Sequence, residues 1–135
     1  MVYMETKTLD TQQNQVCDLS AQVAAAVAAS GIQSGIAVVE TCHSTAGILR
    51  TTAWGHEVLE DLVKEMRRLV PARINFKHEE SPEDAAGHLK CALFGSSVSC
   101  IVRNGTLVSQ GKQGIYFLEY DGPRNRTYDI CVVGE

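Results

Sequence analysis

The chain has 135 residues, of which 12 are lysine or arginine and 16 are aspartate or glutamate, so its formal net charge is −4. Hydrophobic residues make up 44% and charged residues 21%, a balance typical of a soluble protein, and the length suits one domain spanning residues 1–135. The mild acidity and the lack of a long apolar run argue against nucleic-acid and membrane partners, which need clustered basic side chains and roughly 20 apolar residues respectively.

The N-terminal part of the sequence predicts a strand followed by a helix. A strand is predicted over Val2–Leu9, where alternate residues fall on opposite sides: Val2, Met4, Thr6 and Thr8 on one, and Tyr3, Glu5, Lys7 and Leu9 on the other. An alanine-rich helix is predicted over Leu19–Ser30, because its two flanking residues suit the two helix ends. Asp18 offers a carboxylate to a free first-turn N–H group, and Gly31 can adopt the left-handed conformation that ends a helix.

The middle of the sequence predicts two strands and a strongly amphipathic helix. Ile36–Thr41 is apolar and β-branched, and Ala46–Thr52 is predicted to be its partner strand. From Val58 to Val70 the apolar residues recur at helical spacing, with acidic residues early and basic residues late, as the helix dipole favours. His56 lies at the start of this helix and Pro71 ends it. We interpret the charged side chains as a solvated face.

The last half of the sequence predicts a loop, a short helix and four strands. The loop covers residues 71–86 and overlaps a short helix predicted near Glu83–Phe94. Asn104-Gly105 is a strong hairpin signal, because both central residues of that tight turn prefer positive φ. The predicted strands are Ser97–Val102, Thr106–Ser109, Gly114–Glu119 and Thr127–Val133. Strands, then helices, then hairpin-linked strands indicate an α+β fold with a mainly antiparallel sheet.

The cysteines favour a reducing compartment. They are Cys17, Cys42, Cys91, Cys100 and Cys131. Their odd number and the absence of a CxxC pair argue against a disulfide framework or a zinc ribbon. No signal peptide is recognised, so we expect reduced thiols and a cytoplasmic location, with Cys100 and Cys131 as small hydrophobic residues of strands.

Three histidines are candidate site residues. His43 ends a strand beside two hydroxyls, His78 lies in the polar loop, and His88 lies on the short helix. Histidines that are far apart in sequence can converge on one metal ion, as three-ligand zinc sites do. The alternative is three unrelated, half-buried polar residues, because the spacing alone does not show convergence.

The turn after the Gly114–Glu119 strand carries two arginines. Arg124 and Arg126 follow Glu119 and Asp121 closely. Arginine side chains at such a turn can bind phosphate or carboxylate through paired N–H donors. The alternative is a solvated hairpin, in which both arginines form ion pairs with the two carboxylates.

Six short motifs occur in an order that resembles the YjbQ-like family, also called the secondary thiamine-phosphate synthase family. They are His43–Ala46, Leu69–Pro71, His78, Ala86–Lys90, Gly95–Val98 and Gln113–Arg124. The resemblance covers nearly the whole chain. It implies a small α+β domain with antiparallel sheets in sandwich layers and two to three helices, which assembles as a homotrimer with a pocket at the subunit boundary.

The resemblance also implies a site and an activity. His43, His78 and His88 match the family's pocket histidines, which implies a divalent metal ion such as zinc, with His78 and His88 as catalytic residues. The ligand-binding residues that match are Ser44, Thr45, Gln113, Glu119 and Arg124. The implied ligand is a small phosphorylated molecule. The family's assigned activity is a weak thiamine-phosphate synthase reaction, a transferase reaction that joins a pyrimidine diphosphate to a thiazole phosphate.

Two segments depart from the family pattern. Gln110–Gln113 stands where the family usually has Gly-Thr-Trp-Gln, and Leu49–Thr52 stands where it tends to carry an Asn-Glu pair. Arg50 and Lys112 add positive charge at these places, so the ligand of this chain is expected to be more anionic if both face the pocket. The alternative is that both side chains are exposed and have no role in binding. Three functions stay open: a transferase-like enzyme, a ligand-binding trimer without catalysis, and a structural trimer without a ligand.

Overall fold

A computed structural model describes residues 1–73, 75–78 and 81–135 of the chain. Within these ranges the chain forms eight strands and three helices. The strands are β1 (Val2–Thr11), β2 (Val16–Asp18), β3 (Ser34–Glu40), β4 (Ala46–Thr52), β5 (Ser97–Arg103), β6 (Thr106–Leu107), β7 (Gln113–Glu119) and β8 (Arg124–Gly134). The helices are α1 (Ser20–Ser30), α2 (His56–Leu69) and α3 (Pro82–Phe94).

The strands form two antiparallel sheets that share one core. The larger sheet has the order β1-β8-β3-β5-β6 and the smaller one β2-β7-β4. Apolar side chains of both sheets meet those of α1 between the layers, among them Phe117, Ile130 and Ile48, each no more than 1% exposed. The predicted α+β fold with antiparallel sandwich layers is therefore confirmed.

The small sheet is buried on both faces. Ile115 and Phe117 of β7 belong to the core between the sheets, whereas Tyr116 and Leu118 pack with Met66 of α2 in a second core. This explains why β7 is a continuous apolar run, since a strand covered on both sides has no solvent face. The helix α2 lies where its apolar stripe predicts, and its charged side chains are exposed, as expected.

One predicted strand pairing is wrong. β3 pairs with β5 and β8 in the large sheet, and β4 pairs with β7 in the small sheet. The segment between them carries the chain from one sheet to the other, and the Thr41 hydroxyl donates a hydrogen bond to the Thr127 carbonyl oxygen (2.9 Å) at this crossing. β4 belongs in the middle layer because Ile48 faces the large sheet while Leu49 packs with α2.

Several element ends differ from the prediction. Leu19, not Asp18, is the N-cap residue of α1, although an Asp18 carboxylate oxygen still accepts a hydrogen bond from the Ser20 N–H (2.9 Å). The short strand β2 was not predicted from its three residues. The loop before α3 is shorter than expected, because Ser81 caps the helix by accepting the N–H of Asp84 and Pro82 is its first residue.

Other local predictions are confirmed. Gly31 ends α1 with φ of 69°, and the β5–β6 hairpin turns through Asn104 and Gly105 with φ of 54° and 76°. All five cysteines are free; Cys100 is buried, but Cys131 is half-buried on the outer face of the large sheet. Among the described residues, no helix is long and apolar enough to cross a membrane.

Candidate metal and anion site

Helix α3 and the loop before it bring two histidines to one carboxylate. Asp84 and His88 are four residues apart on α3 and therefore lie on the same face of the helix. Nε2 of His78 lies 2.7 Å from Oδ2 of Asp84, and Nε2 of His88 lies 3.2 Å from the same oxygen. The two imidazole rings meet edge to face, with their centres 5.0 Å apart. We call these three residues the His–Asp–His cluster.

The position of α3 depends on a close approach at Gly87. A Cβ atom at this residue would lie 3.1 Å from Cβ of Thr45 and 3.4 Å from Cβ of Tyr120. Atoms so close to the backbone cannot rotate away, so glycine lets α3 pack tightly against the start of β4 and the end of β7. This packing places Asp84, which is 5% exposed, beneath the two half-exposed imidazoles.

Arg124 lies next to the cluster at the start of β8. Its Nη2 atom is 2.8 Å from Oδ2 of Asp121 and 3.7 Å from Oδ1 of Asp84. The hydrogen bond from Arg124 to Asp121 raises the pKa of the guanidinium above its ordinary value. Its side chain is 47% exposed, and one guanidinium carries five N–H donors. Arg124 can therefore bind an anion beside the cluster while it stays paired with Asp121.

A buried network centred on Arg126 supports this region from below. Arg126 donates hydrogen bonds to both oxygens of Glu119 and to the Thr45 hydroxyl (2.8 Å). Glu119 also accepts the Thr11 hydroxyl and the N–H of Asp121 (3.1 Å). Burial alone would raise the pKa of Glu119, but the hydrogen bonds from Arg126 and Thr11 outweigh it and lower the pKa. Arg126 is thus a buried structural residue and not a solvated one.

The structure does not bring all the predicted ligand-binding residues together. Both Glu119 and Thr45 are buried and bound to Arg126. Ser44 is exposed in the turn before β4. Gln113 begins β7, whereas Glu119 ends it, so the two are about 20 Å apart at about 3.3 Å per residue. Within one chain Gln113 is therefore remote from the cluster.

His43 also lies outside the described group of converging ligand atoms. Its Nε2 atom accepts a hydrogen bond from the N–H of Thr127 (3.0 Å) and lies 3.3 Å from the Thr127 hydroxyl. Burial lowers the pKa of His43, and the positive charge of Arg126 lowers it further. Of the three predicted metal ligands, the structure therefore brings two together and gives the third a backbone partner.

The donor atoms of the cluster suit a divalent metal ion. The ligand atoms of His78, Asp84 and His88 all lie within 4.8 Å of one another. Tetrahedral zinc with bonds of about 2.0–2.1 Å needs ligand atoms about 3.3 Å apart, and two of the three separations here are 2.7 Å and 3.2 Å. Two imidazoles and a carboxylate leave positions open for a ligand, and His78 and His88 line a cleft of about 430 Å³ with Phe76 and Leu89. The cluster can hold a metal, and the donors do not identify which one.

Asp84 is the residue that the sequence reasoning missed. The signal was present, because an aspartate four residues before a histidine on a helix places both side chains on one face. The sequence predicts the helix, so this spacing within Asp84–His88 is what could have identified the carboxylate.

The chain is similar to proteins that share this fold. Residues 5–135 match the family model described as UPF0047 protein YjbQ-like. The UPF0047 protein YugU of Bacillus subtilis is 34% identical over 125 residues, 92% of this chain and 93% of that protein, and a UPF0047 protein of Methanocaldococcus jannaschii is 32% identical over 124 residues, 92% and 88%.

Two crystal structures agree over almost the full length. A YbjQ-like protein of unknown function from Sulfolobus solfataricus has a TM-score of 0.93 at 29% identity, covering 100% of this chain and 99% of that one. An uncharacterised YjbQ/UPF0047 protein from Clostridium acetobutylicum has a TM-score of 0.90 at 35% identity, covering 96% and 99%. The matched family model and relatives span the elements that form the His–Asp–His cluster, and the chain belongs to the UPF0047 family of YjbQ-like proteins.

Proposed function

We propose that the His–Asp–His cluster binds a divalent metal ion such as zinc and that Arg124 binds the phosphate of a small substrate beside it. The observation that supports this most is the position of Asp84, whose carboxylate contacts both imidazoles and lies 3.7 Å from Arg124. The proposed enzyme is a transferase of the thiamine-phosphate synthase type. When bound, the metal ion stabilises negative charge that develops on a leaving diphosphate.

The chain's own residues have separate tasks in this proposal. Asp84 supplies the anionic metal ligand between the two imidazoles, and Asp121 orients Arg124 through their 2.8 Å contact. Arg124 binds the anionic end of the substrate through its remaining N–H donors.

A zinc titration of the purified chain tests the metal site. Calorimetry on the wild type is expected to give one strong site per chain, and His88→Ala is expected to abolish it, because only two ligands are left. The matched control is His56→Ala, since His56 is exposed at the start of α2. Absence of zinc binding by a folded wild type, or equal binding by His88→Ala, would contradict the proposal.

A kinetic comparison tests the role of Arg124. With a pyrimidine diphosphate and a thiazole phosphate as substrates, Arg124→Gln is expected to raise KM by about tenfold or more, because a charged hydrogen bond to phosphate is lost. Arg68→Gln is the control, since Arg68 is an exposed residue of α2 paired with Glu65. Equal KM values for the two variants would exclude phosphate binding by Arg124.

The second candidate is a ligand-binding trimer without catalysis. It is favoured by three carboxylates near the cluster that are already engaged: Asp84 with two histidines, Asp121 with Arg124, and Glu119 with Arg126. None of these three is set up as a general base. In this case His88→Ala would change ligand affinity, while the wild type would bind both substrates without turnover.

We further propose that the working unit is a homotrimer. The outer face of the large sheet carries exposed apolar side chains in adjacent register positions, namely Val2 (66% exposed), Val133 (44%) and Ile36 (51%), with Met4 (70%) beside them. A continuous exposed apolar row of this kind favours burial against another copy.

Light scattering after size exclusion tests the trimer. The wild type is expected to have three times the chain mass, and Ile36→Lys is expected to shift it towards the monomer. Lys64→Glu on α2 is the control, because Lys64 is exposed on another surface. A trimer that binds neither zinc nor phosphate would support the purely structural alternative.

The cysteines support a cytoplasmic location for this enzyme. All five are free, and Cys42 is exposed. Exposed free thiols persist in a reducing compartment. Fractionation of source cells with an antibody to the chain tests this, and recovery in a secreted fraction would contradict it.

A further inference from the structure

A second cleft lies at the opposite end of β7 from Glu119. Its volume is about 460 Å³, and it lies where the edges of β4 and β5 meet the turn before β7. Arg50, Ser109 and Lys112 line it, together with Gln113. Since Gln113 is about 20 Å along the strand from Glu119, this cleft is separate from the His–Asp–His cluster within one chain.

The charge of this cleft is positive, in contrast to the chain as a whole. Arg50 and Lys112 both line it, and neither forms an ion pair with a described residue. None of the described residues that line the cleft carries a carboxylate. The formal charge of the chain is −4, so two unpaired cations at one cleft form a local exception. Such an arrangement attracts anions and lacks an internal partner.

The arginine is held in place without losing its binding capacity. Nη1 of Arg50 donates a hydrogen bond to the carbonyl oxygen of Ser99 (3.0 Å), another residue of the cleft. This contact uses one of five N–H donors and fixes the direction of the planar guanidinium. The remaining donors can bind a planar or tetrahedral oxyanion through two parallel hydrogen bonds.

A buried hydroxyl supplies a second, independent observation. Oγ of Ser109 is buried and has no hydrogen-bond partner among the described residues. The carbonyl oxygen of Ser109 accepts the N–H groups of Lys112 and Gln113 (2.9 Å each), so a tight turn ties the hydroxyl to the lysine. A buried hydroxyl is normally paired. An oxyanion in the cleft would accept a hydrogen bond from this hydroxyl and would be attracted by the charges of Arg50 and Lys112.

We propose that this cleft binds a phosphate or diphosphate group, with Arg50 and Lys112 as its cationic partners and Ser109 as a neutral donor. The apolar side chains of Ile101 and Val108 line another part of the cleft and suit the uncharged part of a phosphorylated small molecule. Binding here needs neither the metal ion nor Arg124, so this proposal does not depend on the proposed enzyme activity.

The single tryptophan provides a reporter for the test. Nε1 of Trp54 donates a hydrogen bond to the carbonyl oxygen of Gly111 (3.0 Å), the residue before Lys112. Inorganic diphosphate, added at low salt in the presence of a metal chelator, is expected to change the Trp54 fluorescence saturably. Calorimetry under the same conditions gives the affinity, and inorganic phosphate is expected to bind more weakly because it carries less charge.

Variants identify where the probe binds. Arg50→Gln and Lys112→Gln are each expected to weaken diphosphate binding by about tenfold or more, because each removes one charged contact. Lys64→Gln is the surface control and is expected to bind as the wild type does. Arg124→Gln removes the proposed phosphate-binding residue of the other site, and it is expected to leave in place the binding event that changes the Trp54 fluorescence. Circular dichroism shows that each variant is folded.

Three results would overturn the proposal. The first is no binding of diphosphate by the wild type at millimolar concentration. The second is equal binding by Arg50→Gln, Lys112→Gln and the Lys64→Gln control. The third is loss of all binding in Arg124→Gln, which would assign the anion to the His–Asp–His cluster instead. Failure of the zinc titration, in contrast, would leave the expected diphosphate result unchanged.

Discussion

Replacing Arg126 by methionine is the sharpest test of how the region beneath the site is stabilised. Arg126 is 5% exposed and Glu119 is 2% exposed. The substitution Arg126→Met removes both hydrogen bonds from the guanidinium to Glu119 and the one to the Thr45 hydroxyl, but it leaves the apolar stem almost unchanged in volume. Breaking a buried ion pair on one side costs about 3–5 kcal/mol, because an uncompensated charge is left behind. We expect that loss in the free energy of unfolding at neutral pH.

Urea unfolding followed by circular dichroism measures this loss. Its dependence on pH shows whether the charge of Glu119 causes it. The pKa of Glu119 in the folded wild type is below its ordinary value, so the stabilisation is complete above the ordinary carboxyl pKa of about 4.3 and disappears as pH falls through the lower folded value. In Arg126→Met the same carboxyl is buried without a counter-charge, so its pKa is raised. The difference between the two proteins should therefore shrink in acid.

Two comparisons would refute this reasoning. Arg68→Met removes an exposed ion pair with Glu65 and should cost no more than about 1 kcal/mol. The double variant Glu119→Gln/Arg126→Met should be more stable than Arg126→Met alone, because no charge is left buried. A loss for Arg126→Met as small as that for Arg68→Met, or one independent of pH, would show that Glu119 and Arg126 are not a buried charged pair.

Three further predictions follow from the burial of single groups. Burial lowers the pKa of His43, so stability should fall as pH drops below about 6.5 towards the folded value, and His43→Gln should flatten this part of the curve of unfolding free energy against pH. Gly87→Val should cost about 1–3 kcal/mol in urea unfolding and weaken zinc binding in calorimetry, because its added atoms meet Thr45 and Tyr120 and displace α3. Burial also lowers the pKa of Lys90, which is 2% exposed, so its charge destabilises the fold below the ordinary lysine pKa; Lys90→Met should raise Tm at neutral pH, and a lower Tm would contradict the prediction.

Local signals in the sequence predicted the elements well. The apolar stripe and the order of charges located α2, and Asn104-Gly105 located the β5–β6 hairpin, because each feature is decided by residues within one or two turns of chain. The pairing of β4 was not predictable in the same way. The apolar residues of a strand indicate that it is buried, but not which strand lies beside it. The partner of β4 is β7, which comes more than 60 residues later in the sequence.

The candidate site was also predictable only in part, because some of its contacts are local in sequence and others are not. The family resemblance pointed to His78 and His88, which the structure brings to one carboxylate. It also pointed to His43, whose Nε2 atom is occupied by the N–H of Thr127, a residue 84 positions away. Whether a histidine faces a ligand or a neighbouring backbone depends on such distant partners, and these are set by the sheet topology. Asp84, in contrast, could have been predicted from the sequence, because it lies four residues before His88 on the same predicted helix.

Cobalt(II) binding to the His–Asp–His cluster tests the central claim most directly, because the visible absorption of cobalt reports its protein ligands. Titration of the wild type should give an intense spectrum that saturates at one ion per chain. Asp84→Asn should weaken binding and change the spectrum, since a charged ligand is replaced, whereas His56→Ala should leave both unchanged. A spectrum of cobalt in water alone, or identical spectra for wild type and Asp84→Asn, would contradict the assignment of this cluster as a metal site.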